Sequence, residues 1–132
     1  MIFGYRIINE GKREQRDIKS QLERLLLHML KCKYQNNYAN KESWRRSIRN
    51  ARNEIQYEFK GTKGNFKGAL YNNFYLKDLN LQEIYENAVE NAVDETKLSF
   101  KDFPSTCEWT KEQLIDDEFI NQFIKEWGQD NV

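Results

Sequence analysis

The chain has 132 residues, with 21 Lys or Arg balanced by 21 Asp or Glu, and 14% of it is aromatic. That length supports a core without metal or disulfide staples, and the aromatic content separates it from disordered chains, which lack the apolar groups that offset ordering entropy. The opening stretch IFGYRIINEG is interrupted by Gly4 and Arg6 and is too short for a signal segment or a membrane span, so the expectation is one cytoplasmic helical domain over residues 1–132.

Ile18, Leu22, Leu25, Leu26 and Met29 recur at helical spacing and predict a long amphipathic helix from about Asn9 to Tyr34. Leu27 lies on its opposite side, which gives this helix two neighbours. The tract NNYANK breaks the pattern, and Asn40 is placed to cap a second helix carrying Trp44, Ile48, Ala51, Ile55 and Phe59, which Gly61 ends. GTKGNFKG is a loop, and ALYNNFYL after it is a short helix or turn. Asn80 and Glu83 have the spacing of a capping box, and Leu81, Ile84, Tyr85, Ala88, Val89 and Ala92 form the stripe of a third core helix ending near Thr96. After the loop LSFKDFPSTCEW, Thr110 and Gln113 make a second capping box before Leu114 and Ile115. Phe119, Ile120, Phe123, Ile124 and Trp127 supply a last amphipathic turn or helix. No segment alternates with period two, so the fold class is all-α: a compact, bundle-like domain with two long core helices, a third core helix and short C-terminal helices.

Charge is segregated along the chain. Residues 1–68 hold 16 Lys or Arg against 7 Asp or Glu, and residues 69–132 hold 5 against 14. Such blocks either bind a polyanion through the basic half or neutralise each other within the fold or across a dimer. Cys32 and Cys107 stand far apart, without a CxxC pair and with a single histidine for company, which leaves no ligand set for a metal and implies no cofactor.

The segment KESWRRSIRNARNE shows where the basic side chains point. With Trp44 at zero on a helical projection, Arg52 falls at about 80° and Arg45 at about 100°, flanking the apolar stripe, whereas Arg46 faces away. His28 borders the apolar face of the first helix, and Glu95 and Thr96 fall inside the apolar arc of the third. A carboxylate in the last turn of a helix is opposed by the macrodipole and needs a cation. The expected pair is Arg52 with Glu95, in a polar cluster of His28, Arg45, Arg52, Glu95 and Thr96, which is either a clasp between helices or the lining of a pocket.

Four blocks carry a resemblance: LLLHMLKCKYQ, SWRRSIRNARNEI, IYENAVENAVDETKL and FPSTCEWTKEQLIDDEF. In this order they resemble the bacterial domain-of-unknown-function family 29, over about Gly11 to Phe119. The matching positions are His28, Lys31, Trp44, Arg45, Arg52, Glu54, Tyr85, Ala88, Glu95, Thr96, Phe103, Pro104 and Cys107. The resemblance implies a small helical domain with no established activity, substrate or cofactor. The chain departs from the pattern at Lys97, where glycine is common, at Glu108, where proline commonly follows the cysteine, and in a shorter amino-terminal segment with Arg6, Ile7 and Ile8 where acids are expected.

The first functional reading is a non-catalytic protein-interaction or regulatory module, binding an unknown protein or a second copy of itself. Leu27, Tyr71, Phe74, Tyr75 and the terminal FINQFIKEW would form its apolar centre. The alternative is nucleic-acid binding through the basic half, with Arg46, Lys60, Lys63 and Lys67 as contacts. A further alternative is an enzyme with His28 as base, Glu95 orienting it and Arg52 binding an anion, or with Cys107 as nucleophile.

Overall fold

A computed structural model describes the backbone of residues 2–35, 40–58 and 79–128, with side chains over 16–35, 40–55 and 79–128. The loop GTKGNFKG and the segment ALYNNFYL lie outside the described residues, and so do Phe59, Lys60, Gly61, Lys63, Lys67, Tyr71, Phe74 and Tyr75. The elements are α1 (Ile2–Tyr34), α2 (Lys41–Glu58), α3 (Leu81–Glu95), a 3-10 turn (Phe100–Asp102), α4 (Lys111–Leu114) and α5 (Asp117–Trp127). No strand occurs among the described residues, so the all-α class holds.

α1 starts well before the expected Asn9 and runs for 33 residues, about 50 Å at the usual rise. Gly4 and Gly11 lie inside it, and each costs roughly 1 kcal/mol against alanine, a penalty a long helix absorbs without breaking. α1 packs on both α2 and α3, as its two apolar sides require. Ile18, Leu22, Leu25, Leu26, Met29 and Leu30 are fully buried, meeting Trp44, Ile48, Ala51 and Ile55 of α2 and Ile84, Tyr85, Ala88 and Ala92 of α3 in one core cluster.

Caps fix where the later helices begin. Asn80 accepts a bond from the Glu83 amide at 3.1 Å, but only this half of the box forms, since the Glu83 carboxylate instead takes Lys19 of α1 at 3.2 Å. The Thr110 box is complete, with the Gln113 amide donating to Thr110 Oγ1 and the Thr110 amide to Gln113 Oε1. Asp116 caps α5 by accepting from the Glu118 amide. Between α3 and α4 the chain lacks regular structure beyond the 3-10 turn, and α3 satisfies its backbone: Tyr85 donates to Pro104 O at 2.6 Å, and Gln82 donates to Ser105 O and accepts from the Cys107 amide.

Of the apolar set expected at an interface, the described members belong to the interior or pack against it. Ile120, Phe123 and Ile124 are buried, and Leu27, Phe119 and Trp127 are half-buried against the core. α1 has neighbours on two sides, so Leu27 is covered, and α5 turns its apolar face inward.

Candidate functional site

The residues expected to form one polar cluster take partners at three places. At the end of α3, Glu95 accepts from Lys31 of α1 at 2.8 Å, with the lysine nearly buried and the carboxylate about half exposed. The buried partner is therefore the cation. Thr96 is the C-cap of α3: its hydroxyl donates to Ala92 O at 2.7 Å and accepts from the Leu98 amide, so its needs are met locally.

His28 lies beside this pair. Its Nδ1 is 2.9 Å from Arg24 O one turn back in α1, and because a carbonyl only accepts, Nδ1 carries the proton and Nε2 is the acceptor. Burial lowers the His28 pKa; the Arg24 carbonyl opposes that shift, Lys31 and Arg24 add to it, and Glu95 pulls the other way. The Nδ1 position that an orienting carboxylate could take is held by a main-chain oxygen and not by Glu95.

Arg52 does not meet Glu95 as the projection implied. Its Nη2 lies 2.8 Å from Asp117 Oδ1, at the start of α5, and Glu95 goes to Lys31 instead. Burial disfavours the Arg52 charge, and Asp117 and Asp116 offset part of that. The projection was right that Arg52 faces inward, but a wheel shows direction only within its own helix, and the side of α2 carrying Arg52 meets α5.

Arg45 reaches the other end of the same helix, where Nη1 donates to Gly128 O, the C-cap residue of α5. Next to it Lys41, a buried residue on the first turn of α2, donates from Nζ to Trp127 O at 2.6 Å and to Cys32 O at 3.2 Å. One ammonium thus reaches carbonyls in the last turns of both α1 and α5, the ends where unsatisfied oxygens and the helix dipole favour a cation.

The densest arrangement lies outside the expected cluster. Lys33 Nζ donates to Glu108 Oε1 at 2.7 Å and lies 5.2 Å from the ring centroid of Trp127, 5.4 Å from Tyr34 and 5.9 Å from Trp109. The Tyr34 hydroxyl donates to the same carboxylate at 3.2 Å. Burial opposes the Lys33 charge, but the Glu108 carboxylate and Tyr34 outweigh it and raise its pKa. Glu108 stands where proline is common, which is the one signal in the sequence; nothing local links it to a lysine 75 positions away.

Neither thiol is set up for nucleophilic chemistry. Burial pushes Cys32 up to about 11 despite Lys41 and Arg45 nearby. Cys107 is also raised by burial, and its thiol donates to Trp109 O. Among the described residues no group of three or more His, Cys, Asp or Glu is placed to hold a metal ion, and no helix is long and apolar enough to cross a membrane.

The fold and these contacts define an all-α domain whose inward-facing charges bridge helix ends. The chain belongs to the family described as Domain of unknown function DUF29, which matches residues 7–120. No curated protein and no solved structure matches it.

Proposed function

We propose that this domain is a non-catalytic protein-interaction module that presents Phe100 as the anchor of its binding surface. Phe100 is the large hydrophobic residue left exposed among the described residues, at 60%. It sits on a 3-10 turn held by Asp102, whose carboxylate accepts from the Ser99 amide at 2.8 Å, and that turn packs on α3. An aromatic ring displayed on a locked turn loses little freedom on binding, and such anchors commonly contribute about 2 kcal/mol or more. α3, on which that turn packs, carries Glu86, Glu90 and Asp94, all exposed.

The charge pattern supports this over nucleic-acid binding. Lys19–Glu83, Lys31–Glu95, Lys33–Glu108 and Arg52–Asp117 each join the basic half to the acidic half, so four of the basic half's cations are neutralised within the fold. Arg46 is exposed and pairs with Glu42 one turn away at 3.4 Å.

The test is a photoreactive residue at position 100, compared with one at the exposed Asn50 of α2. A discrete protein adduct from position 100, lost on competition with wild-type domain, supports the reading. Equal, diffuse labelling from both positions, or a mobility shift with random DNA or RNA at ~50 mM salt, would count against it.

A further inference from the structure

We propose that Tyr34, Trp109, Trp127 and Glu108 form a binding site for an alkylammonium ion, and that Lys33 occupies it as an internal ligand. This goes beyond the interaction reading and does not depend on Phe100. Three rings from separate parts of the chain, the end of α1, the loop before α4 and the end of α5, put their centroids within 6 Å of one nitrogen. That is the distance at which an aromatic face attracts a cation.

Two of the three aromatic walls are held by more than the occupant. Tyr34 packs edge-on against Phe103 at 5.7 Å, and Trp109 packs edge-on against Phe123 at 5.6 Å. Phe103, Phe123 and Trp109 are themselves buried. Glu108 is fixed by the Tyr34 hydroxyl as well as by Lys33, so the carboxylate keeps a partner when the lysine leaves. Tyr34, Trp109 and Glu108 therefore keep contacts that do not involve Lys33.

Access and exchange follow from exposure. The Lys33 and Glu108 side chains are 23% and 28% exposed, so the site borders solvent. The lysine has a flexible four-carbon stem and can withdraw its head by rotamer changes while the backbone of α1 stays in place. A quaternary ammonium forgoes the 2.7 Å bond to Glu108 but sheds water more easily than a primary one, and the rings reward that. The shared chemistry is an N-methylated ammonium head, on a free amine or on a partner's methylated lysine.

Tetramethylammonium chloride is the first probe, with matched sodium chloride as control. In Lys33→Ala the expected result is a melting midpoint that rises by roughly 2–8 °C for each tenfold of tetramethylammonium above a millimolar-range Kd, with a smaller rise in wild type, where Lys33 competes. A folded Lys33→Ala that responds identically to both salts overturns the proposal. Should that variant not fold, the wild-type chain is titrated and its indole N–H signals are followed by NMR. Saturable shifts at Trp109 and Trp127 but not at the core residue Trp44 are expected, and no shift by ~100 mM overturns the proposal. Choline and a trimethyl-lysine peptide, run the same way, identify the source. Tighter choline points to a free amine, and a peptide at least tenfold tighter points to a protein side chain.

Discussion

Arg52 of α2 and Asp117 of α5 meet at 2.8 Å, the arginine buried and the acid 67% exposed. The two ends of this pair differ in consequence. Removing Arg52 deletes a buried stem as well as a charge, and Arg52→Ala is expected to cost about 2–4 kcal/mol in urea unfolding. Asp117 is screened by solvent, so Asp117→Asn is expected to cost about 1 kcal/mol or less. A neutral Arg52→Ala would show that α5 is held without it.

Lys41 makes a larger claim, because one Nζ reaches the ends of two helices. Lys41→Met keeps the stem and removes the donors, leaving Trp127 O and Cys32 O to find other partners. The expected loss is about 1.5–3 kcal/mol, with faster amide exchange in the last turn of α5. A variant as stable as wild type would mean that water replaces the ammonium at no cost.

Gly128 is tested by sterics. A Cβ there would stand 2.9 Å from Arg45 Cγ and 2.9 Å from Ile124 O. Its φ of −93° is one any residue adopts, so the penalty comes from crowding alone. Gly128→Ala is expected to cost about 1 kcal/mol, and Arg45→Ala in the same chain should recover part of it in a double-mutant cycle. Strict additivity of the two changes would refute the contact.

His28 gives a pH dependence whose sign follows from burial. Its folded pKa lies below the ordinary value of about 6.5, so as pH falls through that value the unfolded chain takes up a proton first and stability declines. The full contribution is present above about pH 7, and it is lost down to the folded pKa, below which this group adds no further slope. His28→Gln should flatten the stability profile over that window. An unchanged slope would assign it to other groups.

The two thiols should differ in reactivity. Cys32, 1% exposed with its pKa near 11, is expected to resist alkylation at pH 8 until the domain unfolds, whereas Cys107, half-buried, should react in the native state. Rapid native labelling of Cys32 would contradict the packing of α1.

Helical periodicity located the core because apolar spacing records which side of a helix is covered: Ile18 to Met29, Trp44 to Ile55 and Ile84 to Ala92 all lie where the projection put them. It also found Arg52 facing inward and the Thr110 cap. Partner identity was less legible, since Arg52 with Asp117 and Lys33 with Glu108 are joined by how helices cross, and a projection contains no crossing angle. Lys31 is among the family positions, but neither its pairing with Glu95 nor the burial of Lys41 is legible in sequence, because lysine reads as a surface residue although its stem buries readily once the head meets a carboxylate or a helix end.

The ion pairs that join the two halves of the chain also bear on how it folds. Lys19–Glu83 and Lys31–Glu95 span 64 positions and Lys33–Glu108 spans 75, so a ribosome delivers the cationic segment well before any of its acidic counterparts. Until then that segment is a polycation exposed to RNA, and once the acidic portion emerges, attraction at a distance draws the two together. Raising ionic strength should therefore slow refolding more than it shifts the equilibrium.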